Sequence, residues 1–336
     1  MNRIVWMDLV RCLAIVSVVL LHVADEYLSR ITLTGIQWDL YQSFRIFGRL
    51  GVPLFLMLSG ALILSTSSKL PLIRFYKKRL PQFILLTVFY FTITNAFCIY
   101  LFDLQFNLKD YFYSLITFKP TFAYQLWYMY IIIILYLLAP FMARYLERVK
   151  TCNLIISFII FSMTIFFPAS IGFWGFHSLW NQFIPYIPYF LFGYLIFNRG
   201  IVKKVATIYL FLSFIISYLI TLFMQIYLKK NGSFHGEGIT WYTSPFILIT
   251  GTTLFSLLSK LTINDRAYHF IKAVSLNSFG VYLIHLIPMF YMIKIMSNLN
   301  VSVIIKIIII YFIVFLFSLI YTHTLSKIPF IRKLVV

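Results

Sequence analysis

Val5-Trp6-Met7-Asp8-Leu9-Val10-Arg11-Cys12 opens a run that stays apolar as far as Leu20-Leu21-His22-Val23-Ala24-Asp25-Glu26-Tyr27. A helix crossing hydrocarbon needs roughly 20 mostly apolar residues, and this run supplies them. It lacks a small-residue cleavage site and carries Asp8, Arg11 and His22, so it reads as a retained span rather than a signal peptide. Working outward, nine more stretches qualify: 44–64, 80–102, 122–141, 152–171, 182–198, 202–228, 239–259, 274–296 and 301–325. The expected fold class is all-α, a polytopic membrane bundle of about ten transmembrane helices. Composition agrees. Of 336 residues, 62% are hydrophobic and 11% charged, against about 25% charged in soluble domains. Mean hydropathy is +0.92. Soluble enzymes, secreted disulfide scaffolds and nucleic-acid binders are thereby excluded.

The net charge of +19 is an orientation code. Alternate loops and both termini collect 18 of the 28 Lys and Arg residues, the other loops 7, and three lie within spans. Cytoplasmic loops carry the excess of Lys and Arg, so both termini are expected in the cytoplasm. The basic side also suits contact with anionic lipid headgroups. Connections are short, so one membrane domain over 1–336 is expected. The polar residues of the first five spans do not recur in the last five. That argues against a repeat-built transporter.

Ionisable residues inside spans mark functional candidates. Asp8 and Arg11 stand three residues apart, and Arg11 and His22 eleven apart. At about 100° per residue, Asp8, Arg11, His22 and Asp25 form one stripe, with about 16 Å of rise from Arg11 to His22. A neutralised ion pair near the headgroups and an interfacial histidine would explain them structurally. A buried arginine joined along one face to a histidine suits acid–base chemistry inside the bilayer. Arg45 and Arg49 share a face of the second span, as a snorkelling pair or a ligand contact. Ser59-Gly60 reads as a close helix crossing.

Lys77, Lys78 and Arg79 precede Pro81, as a positive-inside anchor or a phosphate contact. Ser278, Tyr282 and His285 fall on one face of the ninth span. Trp174, His177, Trp180, His235, Glu237, Trp241 and Tyr242 populate expected outer loops, where aromatic belts are usual and sugar stacking is a second use. Cys12, Cys98 and Cys152 form no CxxC, and nothing points to a metal site.

Four segments in order carry a family resemblance. They are Asp8-Leu9-Val10-Arg11 with His22 after ten intervening residues; Gly51-Val52-Pro53-Leu54-Phe55 through Ser59-Gly60 with the basic run ending Arg79-Leu80-Pro81; Leu126-Trp127-Tyr128 through Ala139-Pro140; and Ser278-Phe279-Gly280-Val281-Tyr282-Leu283-Ile284-His285. Together they resemble the membrane-bound acyltransferases of type 3. They are similar in particular to stand-alone bacterial surface-polysaccharide O-acetyltransferases such as the enterobacterial common antigen O-acetyltransferase. Gln125 stands where that subgroup often has histidine, and Leu286 where it often has proline.

The resemblance implies a multi-pass protein of the bacterial cytoplasmic (inner) membrane. It would move an acyl group, usually acetyl, from cytoplasmic acyl-CoA to a hydroxyl of a cell-surface glycan or lipid-linked oligosaccharide. Acetyl-CoA would be a donor substrate, with no permanently bound cofactor. His22, Arg11 and Asp8 are the expected catalytic set, and Arg11, Lys77, Lys78 and Arg79 the expected CoA contacts. Arg45, Arg49, Trp127, Tyr282 and His285 would line the substrate path. The rival expectation is a glycan flippase or transporter without acyl transfer.

Overall fold

The computed structural model describes residues 4–28, 35–117, 122–170, 183–231, 236–297 and 299–335. Among them the architecture is all-helical. In chain order the helices are α1 (Val5–Leu28), α2 (Gly35–Arg49), α3 (Gly51–Ser67), α4 (Leu72–Phe102), α5 (Leu108–Ile116), α6 (Trp127–Arg148), α7 (Thr151–Ser170), α8 (Ile187–Phe197) and α9 (Thr207–Lys230). A single helical turn at Gly236–Ile239 precedes α10 (Pro245–Leu258), α11 (Asp265–Ile284), α12 (Leu286–Ser297) and α13 (Val303–Ser326). Caps set several starts. Ser244 Oγ accepts from Phe246 N ahead of α10, and Asn264 Oδ1 accepts from Ala267 N ahead of α11.

Among the described residues six helical stretches are long and apolar enough to cross a membrane: α1, the nearly continuous α2–α3, α4, α6 with the 3-10 turn before it, α9 and α13. The bent pair α11–α12 makes a seventh if taken as one span. Shorter apolar helical stretches, Thr151–Thr164 within α7, Ile184–Phe197 including α8, and α10, stand where the fifth, sixth and eighth spans were expected.

Two departures from the expected layout matter. The basic run before Pro81 lies inside a helix, because α4 begins at Leu72. The ninth span is not straight: α11 ends at Ile284 and α12 leaves at 65°. Pro288 explains the break. It has no N–H for the carbonyl of Ile284, and its ring clashes with that carbonyl in a continuous helix.

α1 runs through the middle of the bundle, packed by α2, α3, α11 and α13. Its closest approaches use glycine. A Cβ on Gly48 would press on Leu21, and one on Gly51 on Ala14 O and Val18. The crossing expected at Ser59-Gly60 is present: a Cβ on Gly60 would strike Phe190 O of α8, and one on Gly193 would strike Met57 O of α3. Loops expected on one face meet at one end of the bundle. Ser68 bonds Glu147, Arg199 bonds Leu146 O, and Lys260 bonds Lys203 O.

Candidate active site

The α1 stripe is anchored at both ends. Asp8 is fully buried and accepts from Arg11 Nη1 at 3.0 Å, Ser275 Oγ at 2.7 Å and Tyr268 OH at 3.1 Å. These bonds tie α1 to α11 and fix the Arg11 guanidinium in one direction. A charge-assisted pair of this kind is stronger and better oriented than a neutral one.

Arg11 faces a cavity of about 490 Å³ between α1, α3, α4, α6 and α11. Arg79 and Gln82 of α4, Tyr128 and Tyr136 of α6, and Ser278 and Tyr282 of α11 share its wall. Phe55, Phe83 and Phe279 make it partly apolar. The arginines suit an anionic group and the aromatic wall an organic chain. Lys77 and Lys78 are exposed on α4 and do not line this cavity. Helical geometry separates the three cations, because neighbours in sequence point about 100° apart.

Two histidines meet outside the lining of that cavity. His22 Nδ1 lies 2.7 Å from His285 Nε2. Their ring centroids are 5.0 Å apart and their planes differ by 13°. With so short an N···N contact, the rings join edge to edge and nearly coplanar. Tyr282, on the cavity wall, has its ring 6.3 Å from that of His285. Tyr124 packs edge-on to His22 at 5.5 Å and donates its hydroxyl to Glu26 Oε2.

The partners of His285 fix the protons. Its Nδ1 is 2.7 Å from Tyr282 O and 3.2 Å from Val281 O. Carbonyl oxygens only accept, so Nδ1 carries the hydrogen. In a neutral imidazole Nε2 is then the acceptor, so His22 Nδ1–H donates to it. The remaining nitrogen, His22 Nε2, is left as a base with a free lone pair. The break at Ile284 holds this arrangement. Tyr282 OH donates to Gln125 O at 2.6 Å, and Gln125 Nε2 donates to Leu283 O at 3.2 Å.

One turn beyond His22, Asp25 accepts from Tyr41 OH at 2.8 Å and pairs with Arg49 at 3.3 Å and Arg45 at 3.5 Å. Arg49 also lies under the rings of Trp241 and Tyr242. Trp127 packs on Tyr242 and Tyr186, near this outer cluster and away from the cavity.

Of the expected residues, Arg11, Arg79 and Tyr282 line the cavity with Asp8 bound to Arg11; Arg45, Arg49 and Trp127 belong to the outer cluster; His22 and His285 pair with each other; and Lys77 and Lys78 join neither group. Trp174, His177, Trp180 and His235 lie outside the described residues. Tyr124, Tyr128, Tyr136, Tyr268, Ser275 and Gln82 were not singled out from the sequence. Tyr128 and Tyr136 are part of a quoted segment, but no local pattern separates the others from ordinary core aromatics and polar residues.

The fold and this buried, membrane-embedded site define a multi-pass helical membrane protein with a His–His centre. Residues 4–323 match the profile of a family described as an acyltransferase domain, and the chain belongs to that type 3 acyltransferase family. No curated protein and no solved structure matches it significantly. The chain is therefore a membrane acyltransferase.

Proposed function

We propose that this acyltransferase is an O-acetyltransferase of the bacterial inner membrane. It takes acetyl from cytoplasmic acetyl-CoA and places it on a hydroxyl of an extracytoplasmic polysaccharide or its lipid-linked precursor. The observation that carries the reading is the 2.7 Å bond between His22 and His285. It leaves a histidine base whose partner, His285, has its ring 6.3 Å from that of Tyr282, a wall residue of the cavity that Arg11 and Arg79 also line.

The roles follow from position. Arg11, oriented by Asp8, and Arg79 meet the CoA phosphates, and the aromatic wall holds the pantetheine arm and the acetyl group. His22 Nε2 takes the proton of the acceptor hydroxyl as its oxygen attacks the thioester carbon. The carbon–sulfur bond breaks, and the proton passes to the leaving CoA thiolate. General-base catalysis of this kind contributes about 10²- to 10⁴-fold. A two-step variant forms acetyl-His22 first and transfers it to the sugar oxygen. Both variants need the tautomer that His285 imposes.

Mass spectrometry of the cell-surface glycan, with and without the gene, tests the reading. Loss of an acetyl-sized mass per repeat supports it. An unchanged mass with less glycan points to a flippase and overturns it.

A further inference from the structure

A partition stands between the arginine-lined cavity and the histidine pair. Arg11, Arg79 and Tyr282 line the cavity, and neither His22 nor His285 is in its lining among the described residues. Tyr282 precedes His285 by about one turn of α11, and their ring centroids are 6.3 Å apart. Among the described residues no other side chain of the cavity wall bonds or stacks with either histidine. The Tyr282 ring is thus the contact between the two sites.

The ring is held by one polar bond and two aromatic neighbours. Its hydroxyl donates to Gln125 O at 2.6 Å. Phe279 stacks on it at 6.2 Å, and Tyr128 meets it edge-on at 5.6 Å. Gln125 is fixed in turn by its Nε2 bond to Leu283 O. The main-chain carbonyl of Tyr282 has a separate task, since it holds His285 Nδ1 at 2.7 Å. A change of side-chain rotamer at Tyr282 therefore leaves the histidine tautomer untouched, and its polar cost is the single bond to Gln125 O.

We infer that Tyr282 is a latched gate: with its hydroxyl on Gln125 O the ring separates the donor thioester from His22, and release of that hydroxyl opens the passage for transfer. The inference rests on the acyl-transfer reading above. The chemistry gives such a gate a purpose. A base that takes the proton of a sugar hydroxyl also takes one from water. The water oxygen then bonds to the thioester carbon, the carbon–sulfur bond breaks, and the proton passes to the CoA thiolate. The products are acetate and free CoA, and the donor is wasted. While the latch holds, thioester and base stay apart. Closures of this kind keep water from reactive groups in many enzymes.

Purified protein in nanodiscs tests the gate. Acetyl-CoA is supplied alone, and then with unacetylated surface glycan isolated from cells lacking the gene. Acetate and acetylated glycan are measured separately. Tyr282→Phe keeps the ring and loses the latch. Without glycan it is expected to release acetate about fivefold faster than the native protein, the shift in open population that one neutral hydrogen bond governs. Tyr282→Ala, checked for folding by size-exclusion chromatography, removes the partition and is expected to release acetate faster still. Both variants keep the main-chain carbonyl that holds His285. With glycan present, the share of acetyl lost as acetate should rise in the same order, a ratio that a smaller amount of folded protein does not move. Acetate release at the native level in Tyr282→Phe, from a protein that acetylates the glycan in its native form, overturns the gate and leaves acyl transfer standing. Absence of acetylated glycan with the native protein overturns the acyl-transfer reading and the gate with it.

Discussion

Replacing His285 isolates the proton logic of the His–His centre. In the native site His22 Nδ1–H donates to His285 Nε2, and His285 Nδ1–H is held by the carbonyls of Tyr282 and Val281. His285→Leu removes the acceptor. His22 then keeps a buried donor without a partner, or shifts its hydrogen to Nε2 and ceases to be a base on that side. An unsatisfied buried donor costs about 1–3 kcal/mol. Charged to the transition state, that is a loss of roughly ten- to a hundredfold in kcat. His285→Gln supplies an amide oxygen for His22 and an amide N–H for the carbonyls, so most of the activity is expected to remain. KM for acetyl-CoA should change little in either variant, because the proposed CoA contacts are Arg11 and Arg79. Both variants keep the backbone bond from residue 285 to Val281 O, which guards the helix break. The assay is CoA release under saturating acetyl-CoA, with protein amount checked by size-exclusion chromatography. Equal kcat in the Leu and Gln variants, or native kcat in the Leu variant, refutes the tautomer argument.

Other substitutions test separate parts of the account. Arg79→Gln should raise KM for acetyl-CoA about tenfold, the scale of one charge-assisted contact. Lys77→Gln and Lys78→Gln should each shift it less than about twofold, because both are exposed and outside the cavity; titration of acetyl-CoA in the three variants decides this. Asp8→Ala should lower both stability and acetyl-CoA affinity. It strips a carboxylate from Arg11, Ser275 and Tyr268, and loss of such buried acceptors costs about 1–3 kcal/mol, read from the melting temperature and KM. Gly60→Leu should destabilise by about 1–3 kcal/mol through overpacking against Phe190; an unchanged melting temperature would contradict the close α3–α8 crossing.

The α1 stripe was legible because helical period is a local property. Asp8, Arg11, His22 and Asp25 announce one face by spacing alone, and Gly60 announces a close crossing by lacking a side chain. The partner of His22 was not legible, since His285 lies 263 residues away and only tertiary packing joins them. The signal for its placement was nevertheless present. Pro288 forbids a continuous helix past Ile284, and it is this break that turns the Tyr282 carbonyl toward His285 Nδ1. In sequence order Lys77, Lys78 and Arg79 read as one basic patch ahead of the span at 80–102. Once α4 is seen to start at Leu72, helical geometry sends only Arg79 to the cavity. The shared carboxylate of Arg45 and Arg49 combines α1 with α2, a pairing that period within one helix cannot reveal.

The central claim is that His22 Nε2 is the base for acyl transfer. The direct measurement is the acetylation of the surface glycan in cells carrying His22→Gln, at a protein level matched to the native chain. The account predicts that the acetyl-sized mass disappears while glycan quantity holds. Native acetylation in that strain would contradict it.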